Sequence, residues 1–151
     1  MTKKKLKVSA INEGTVIDQI PAKSLFKVID ILKLDQSTSQ VTFGTNLESE
    51  KLGRKAIIKV SDLFFEDEVV NKIALIAPHA KLNIIKDYEV VEKRTVEIPE
   101  RIEGIVKCFN PKCITHTEHM PTQFSLISNE PLEIKCHYCE KHMDRDQIEM
   151  L

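Results

Sequence analysis

The four cysteines of this chain, Cys108, Cys113, Cys136 and Cys139, all fall in its last third, as Cys-x4-Cys, a 22-residue interval and Cys-x2-Cys. Two close pairs on two turns, brought together by short strands such as FSLI (124–127) and LEIK (132–135), place four thiolates at the corners of a tetrahedron. Zinc suits that arrangement, because thiolates favour a soft or borderline cation and zinc asks only for four-coordination. With four sulfurs the shell is closed, so the expected ion is structural and not catalytic. A free-thiol cluster, a redox Cys-x2-Cys pair and a rubredoxin-like iron site are the alternatives. The redox pair leaves the first two cysteines unexplained, and an iron site would absorb visible light. His116, His119, His137 and His142 lie nearby but read as surface or loop residues, since four cysteines already saturate the ion. Beyond Arg101 the apolar residues are few, chiefly Ile102, Ile105, Val106, Phe109, Phe124, Leu126, Ile127, Leu132 and Ile134. A core that small seldom folds without a staple.

The remaining composition narrows the function classes. The first residues, MTKKKLKV, lack the apolar stretch of a signal peptide, and nowhere do the roughly 20 apolar residues of a membrane span occur together. The expected address is the cytoplasm, where thiols stay reduced and disulfides are not expected. Formal net charge is −1, aromatic residues make up 5% and tryptophan is absent. A nucleic-acid-binding protein built from an α+β module and a zinc ribbon would need a basic stripe or exposed aromatics for base stacking. That reading is the competing class, and the composition argues against both nucleic-acid and membrane partners.

Upstream of the cysteines the chain alternates. LKVSAI (6–11) and GTVIDQI (14–20) are β-branched runs around Asn12-Glu13-Gly14, and Pro21 ends the second. From Ala22 the positions Leu25, Phe26, Val28, Ile29 and Leu32 recur at helical spacing, which predicts a helix to about Leu34. VTFGTNL (41–47) and RKAIIKV (54–60) read as neighbouring strands. Ser61 or Asp62 is placed to cap a second helix whose apolar side is Val69, Val70, Ile73, Ala74 and Ala77. AKLNII (80–85) and YEVVEKRTVEI (88–98) are two more strands, joined at Lys86-Asp87. The pattern predicts an α+β fold: a ferredoxin-like sandwich, with an antiparallel or mixed sheet and two helices on one face, followed by a small β zinc-ribbon-like domain. The boundary is expected at Pro99, giving domains 1–99 and 100–151.

No catalytic constellation stands out. There is no glycine-rich phosphate loop, and no nucleophile with a base that pattern alone assembles. Lys3–Lys7 reads as a solvated terminus. Lys59 and Lys93 each end an apolar strand, where alternation turns a lysine either toward a polyphosphate-binding pocket or into an edge-strand gatekeeper. Asp18, within VIDQI, either accepts bonds from a ligand or faces solvent. Pattern leaves these choices open.

Five ordered strings add to this reading: GTVIDQIP (14–21), GRKAIIKV (53–60), APHAKLNIIKDYEVVEK (77–93), PERIEGIVKCFNPKCIT (99–115) and IKCHYCEK (134–141). Together with the cysteine spacing they closely resemble the regulatory chain of aspartate carbamoyltransferase, from about residue 6 to 142. The resemblance implies a non-catalytic subunit with an N-terminal nucleotide-binding domain and a C-terminal zinc domain that docks on the catalytic chain. It further implies regulatory-chain homodimers bridging catalytic trimers, inhibition by CTP, activation by ATP and reinforcement by UTP, as control of pyrimidine biosynthesis. Carried over by motif, the effector pocket would use Val8, Ser9, Ala10 and Ile11 beside the base, with Val16 lining it. Asp18 would reach the ribose and Gln19 would lie near the phosphates. Lys59, Asn83, Ile85, Tyr88, Val90 and Lys93 would complete it, Lys93 on the phosphates and Lys59 near sugar and base, while Lys5 would belong to a second nucleotide or phosphate region. Asn110 and Glu140 would contact the catalytic chain. The family often has histidine where Gln19 stands and an acidic residue where Ser9 stands, two departures that bear on phosphate contacts and effector preference.

Overall fold

The structure, a computed structural model, describes residues 10–151, which form two compact units divided between Val96 and Glu97. Lys5, Val8 and Ser9 of the expected effector pocket, and most of the first expected strand, lie outside the described residues; Ala10 and Ile11 belong to no strand. Among the described residues no helix is long and apolar enough to cross a membrane.

The first unit runs β1 (Gly14–Pro21), α1 (Leu25–Ile31), β2 (Val41–Ser49), β3 (Gly53–Ser61), α2 (Asp67–Ile73), β4 (Lys81–Lys86) and β5 (Glu89–Thr95). Its sheet is antiparallel throughout, in the order β2-β3-β1-β4-β5. Strands one to four with the two helices make the ferredoxin-like β-α-β-β-α-β arrangement, and β5 is added as a hairpin partner of β4. The hairpin turns at Asp87-Tyr88, both at positive φ (52° and 66°), the geometry that matches a two-residue turn to strand twist. One sheet face is closed by the helices. Ile17, Ile58 and Leu82 are fully buried there, with Leu25 and Val28 of α1 and Val70 and Ile73 of α2 also in the core. Each such side chain contributes about 2 kcal/mol by leaving water. The Ser24 hydroxyl donates to the Ile76 carbonyl (3.3 Å), tying the start of α1 to the end of α2.

Several expectations are corrected. The helix expected from Ala22 to Leu34 is a 3-10 turn (Ala22–Ser24), then α1, then a second 3-10 turn (Leu34–Gln36) entered through Lys33 at φ 55°. Phe26 does not join the buried face: it is 67% exposed and meets Phe43 of β2 edge-on at 6.2 Å. At 3.6 residues per turn, Leu25, Val28 and Leu32 fall on one stripe while residue 26 lies about 100° away from Leu25. The second helix starts later than expected. Glu66, not Ser61 or Asp62, stands at its N-cap and makes no side-chain cap bond, and the helix ends at Ile73, short of Ala77. Asp62 instead takes a left-handed backbone (φ 57°) and donates its N–H to Glu13 (2.9 Å), closing the end of β3 onto the start of β1.

The second unit pairs β6 (Arg101–Glu103), β8 (Gln123–Ser128), β9 (Glu133–Cys136) and β10 (His142–Asp144) in a sheet of order β10-β9-β8-β6. A two-stranded ladder joins β7 (Val106–Lys107) to β11 (Glu149–Met150). Ile102, Val106, Phe124, Leu132, Ile134, Met143 and Ile148 are its buried apolar residues besides three of the cysteines.

Gly14 opens β1 at φ 140°, and a Cβ there would collide with the Val60 carbonyl oxygen. Gly14→Ala is therefore expected to lower stability by about 2 kcal/mol in urea denaturation. A loss below about 0.5 kcal/mol would contradict this close approach of β1 to β3.

Candidate functional site

Local geometry brings the four sulfurs together. Cys108 follows β7, and the loop after it is closed by the Cys113 N–H donating to the Asn110 carbonyl (3.0 Å). Cys136 ends β9. The turn beyond it is held by Glu140 N–H to the Cys136 carbonyl (3.0 Å) and Cys136 N–H to the Lys141 carbonyl (2.9 Å). Glu140 adopts φ 62° to make that reversal. The Cys108 and Cys139 sulfurs are 3.6 Å apart, those of Cys113 and Cys136 are 3.8 Å apart, and all four lie within 4.8 Å of one another. A tetrahedron with zinc–sulfur bonds of about 2.3 Å has edges of about 3.8 Å, so the cage is of zinc size.

The electrostatics need a cation. Burial pushes the Cys108 and Cys136 thiols up, as expected where no positive charge offsets the lost hydration. Cys139 is brought down to about 7: burial opposes ionisation, but hydrogen bonds from the Lys141 backbone, the Asn110 side chain and the neighbouring thiols outweigh it. A divalent ion at the centre stabilises all four thiolates together, and their closed shell leaves no place for water or substrate. The chain therefore carries one structural zinc held by Cys108, Cys113, Cys136 and Cys139. None of the nearby histidines joins the cluster; His116 bonds the Cys108 carbonyl through Nε2 (2.9 Å) and His142 bonds Glu133 through Nδ1 (2.9 Å). Outer contacts escaped the sequence reading. The Asn110 side-chain oxygen accepts from the Lys112 N–H (3.1 Å), and the Thr115 hydroxyl donates to the Cys113 sulfur (3.1 Å). Thr115 thus orients a ligand.

In the first unit, the strand register gathers the remaining candidates. Val16 of β1 stands opposite Lys59 of β3 and Asn83 of β4, and Asn83 stands opposite Lys93 of β5. These four form one row across the sheet face turned away from Ile17, Ile58 and Leu82. Ile85, opposite Gly14 and Val90, lies in a neighbouring row of the same face. Lys59 is 6% exposed, and burial lowers its ammonium pKa. Tyr88 caps the β4–β5 turn, exposed, and its N–H donates to the Asn12 carbonyl (2.9 Å), which brings the chain just after Ala10 and Ile11 to the hairpin. Asp18 and Gln19 sit where β1 breaks register. Asp18 accepts from the Gln19 N–H (2.7 Å) and pairs with Lys55 Nζ (2.9 Å), while Gln19, at φ 60°, accepts from the Ser49 hydroxyl (3.4 Å). Lys55 was not singled out from sequence, although it lies four residues before Lys59 on β3. Glu140 is exposed.

A sheet-and-helix sandwich joined to a closed four-thiolate ribbon defines a two-unit protein whose metal builds structure, while the array of lysines and polar groups lies on the sheet. Comparison with known proteins makes the class specific. Residues 6–97 match the family described as aspartate carbamoyltransferase regulatory chain, allosteric domain, and residues 100–149 match the metal-binding domain of the same chain. The chain is 57% identical to the aspartate carbamoyltransferase regulatory chain of Pyrococcus abyssi over 145 residues, covering 95% of each. It is 52% identical to that of Bacteroides thetaiotaomicron over 149 residues, 99% of this chain and 97% of the relative. With that of Porphyromonas gingivalis it is 51% identical over 151 residues, the full length of both. The chain belongs to the aspartate carbamoyltransferase regulatory chain family, and is a regulatory subunit with an allosteric and a metal-binding domain, not a catalytic one.

Because so little apolar surface supports the second unit, stripping the zinc with a chelator is expected to unfold it. Amide exchange would then accelerate across β6–β11 while β1, β3 and β4 keep their protection. Retained protection in residues 101–151 after complete zinc loss would show that the metal does not hold this unit together.

Proposed function

We propose that this chain is the nucleotide-sensing subunit of an aspartate carbamoyltransferase holoenzyme, located in the cytoplasm and controlling pyrimidine biosynthesis. The observation that carries the reading is the row Lys59–Val16–Asn83–Lys93 on one sheet face. Lys59 and Lys93 are separated by three strand spacings, about 14 Å at roughly 4.8 Å each. Two lysines whose backbones stand that far apart suit a ligand with a polyphosphate at one end and a sugar and base toward the other. Lys93, exposed on an edge strand, takes the phosphates; buried Lys59 meets the sugar and base, where Asn83 and the backbone near Ala10 and Ile11 supply donors and acceptors. Val16, Ile85, Val90 and Tyr88 provide apolar surface. Asp18, steadied by Lys55, offers a carboxylate to ribose hydroxyls, and Gln19 offers amide donors to the phosphates. Lys5, Val8 and Ser9 belong to the same reading through the family likeness. The effectors are CTP and ATP, with UTP at a second region reached by Lys5.

No chemistry is asked of these residues. A nucleotide changes the activity of a distant catalytic chain only by binding two states of the assembly unequally, with a coupling of about 1–3 kcal/mol. The zinc-bound unit docks on the catalytic chain, and two regulatory chains pair. Asn110 and Glu140 lie on the two cysteine loops, and Phe109 and Pro111, on either side of Asn110, line a groove of about 300 Å³ with Lys107, Cys108, His116 and Glu149. A shallow apolar and charged groove beside a rigid metal knuckle suits a protein partner.

Lys93→Ala is expected to weaken CTP and ATP by about tenfold in calorimetry, the loss of one charge-assisted contact, while zinc content and assembly stay unchanged. Unaltered affinity would refute the placement of the phosphates. Because glutamine does not titrate, affinity between about pH 6 and 7.5 should show no histidine-like step at position 19. Such a step, surviving substitution of every histidine in the chain, would count against this assignment.

A further inference from the structure

The loop between β3 and α2, taken with the first residue of α2 as residues 63–67, is gripped from three different strands. The buried Thr15 hydroxyl of β1 donates to the Leu63 carbonyl (2.7 Å). Lys86, the last residue of β4, places its ammonium 5.9 Å from the centre of the Phe64 ring, itself 45% exposed. Arg94 of β5 donates to the Phe65 carbonyl (3.4 Å) and forms an ion pair with Asp67, the first residue of α2.

The three grips have a common geometry. Thr15 is the chain neighbour of Val16, Lys86 of Ile85, and Arg94 of Lys93. Successive residues of a strand point to opposite faces, so each grip is the underside of a residue assigned above to the nucleotide face. The fourth strand of that face, β3 with Lys59, runs directly into the same loop. Loop 63–67 is thus attached to all four strands that carry the row. Of the three grips, the one from β5 is the most easily displaced. Among the described residues β5 is an edge strand, paired only with β4 and exposed along nearly all its length, and Asp67 lies open to solvent. An ion pair of that kind is weak, and a weak contact is one a ligand's small differential binding energy can make or break.

We infer that loop 63–67 reports nucleotide occupancy, with Arg94 as the positioning residue that carries the position of Lys93 through β5 to Phe65 and Asp67. A nucleotide that draws Lys93 toward Asn83 and Val16 settles β5 against β4, and the contacts of Arg94 with the loop on the opposite face become more persistent. Arg94 itself does not touch the ligand. The inference rests on the nucleotide-sensing reading, and the experiment separates the two.

The test is amide hydrogen exchange on the full-length zinc-loaded chain, with and without saturating CTP, alongside calorimetry. In the wild type, CTP is expected to slow exchange at residues 64–67 by about fivefold, the low end of typical coupling. In Arg94→Ala that slowing disappears, whereas ligand-free melting stays unchanged and CTP affinity falls by no more than the same factor, as linkage requires. Lys86→Ala, a milder change at an exposed strand end, should reduce the slowing without removing it, and serves in its place if Arg94→Ala does not fold. CTP binding with no change in loop exchange overturns the inference and leaves the nucleotide reading standing. A loss of CTP affinity of a hundredfold or more in Arg94→Ala also overturns it, because Arg94 would then belong to the pocket. Failure of the wild-type chain to bind CTP sinks both.

Discussion

An antiparallel sheet alternates its side chains between two faces, and the first unit is organised by how β1, β3, β4 and β5 divide theirs. Ile17, Ile58 and Leu82 go to the helices, where burial stabilises the fold. Val16, Lys59, Asn83 and Lys93 go to the other face, where they line up because the register is tightly specified by the buried set. A slip of one residue would send the lysines into the helix-packed core and the isoleucines to the opposite face. Stability of one face is therefore the reason for order on the other.

The second unit solves a different problem by different means. Its sheet is short, and its apolar core is too small to be expected to fold unaided. A metal–thiolate cluster supplies what burial cannot, at the junction of β7, β9 and the two cysteine loops. Thr115 shows how the chain trims the cluster, through its bond to the Cys113 sulfur. A closed zinc shell is inert, and that inertness suits an ion whose role is structural.

Sequence reasoning reached the two-helix antiparallel sandwich and the four-thiolate cluster because both rest on local signals: strand alternation, helical spacing and cysteine intervals. It failed at element ends. The helix expected to reach Leu34 breaks into three pieces, and the expected caps Ser61 and Asp62 close a strand instead, because the tertiary contact of Asp62 with Glu13 outweighs a capping preference of about 1 kcal/mol. Phe26 was placed in the core by being apolar near the right spacing, yet its ring lies to one side of the stripe and packs on Phe43. Lys55 is legible in the sequence only as a charged strand residue, and Asn110 only, through the resemblance, as a contact with the catalytic chain. The partner of Lys55, Asp18, comes from β1, and no spacing rule connects the two.

The sequence by itself determined that there would be a helix-covered sheet and a metal-stapled ribbon, since β-branched runs, proline stops and paired cysteines act over a few residues and need no distant partner. Only the tertiary structure decided that Lys59, Val16, Asn83 and Lys93 share one row, and that Thr15, Lys86 and Arg94 meet beneath it at a single loop. Such groupings depend on pairing register between strands tens of residues apart, and register is set by the burial of the whole helix-facing core at once.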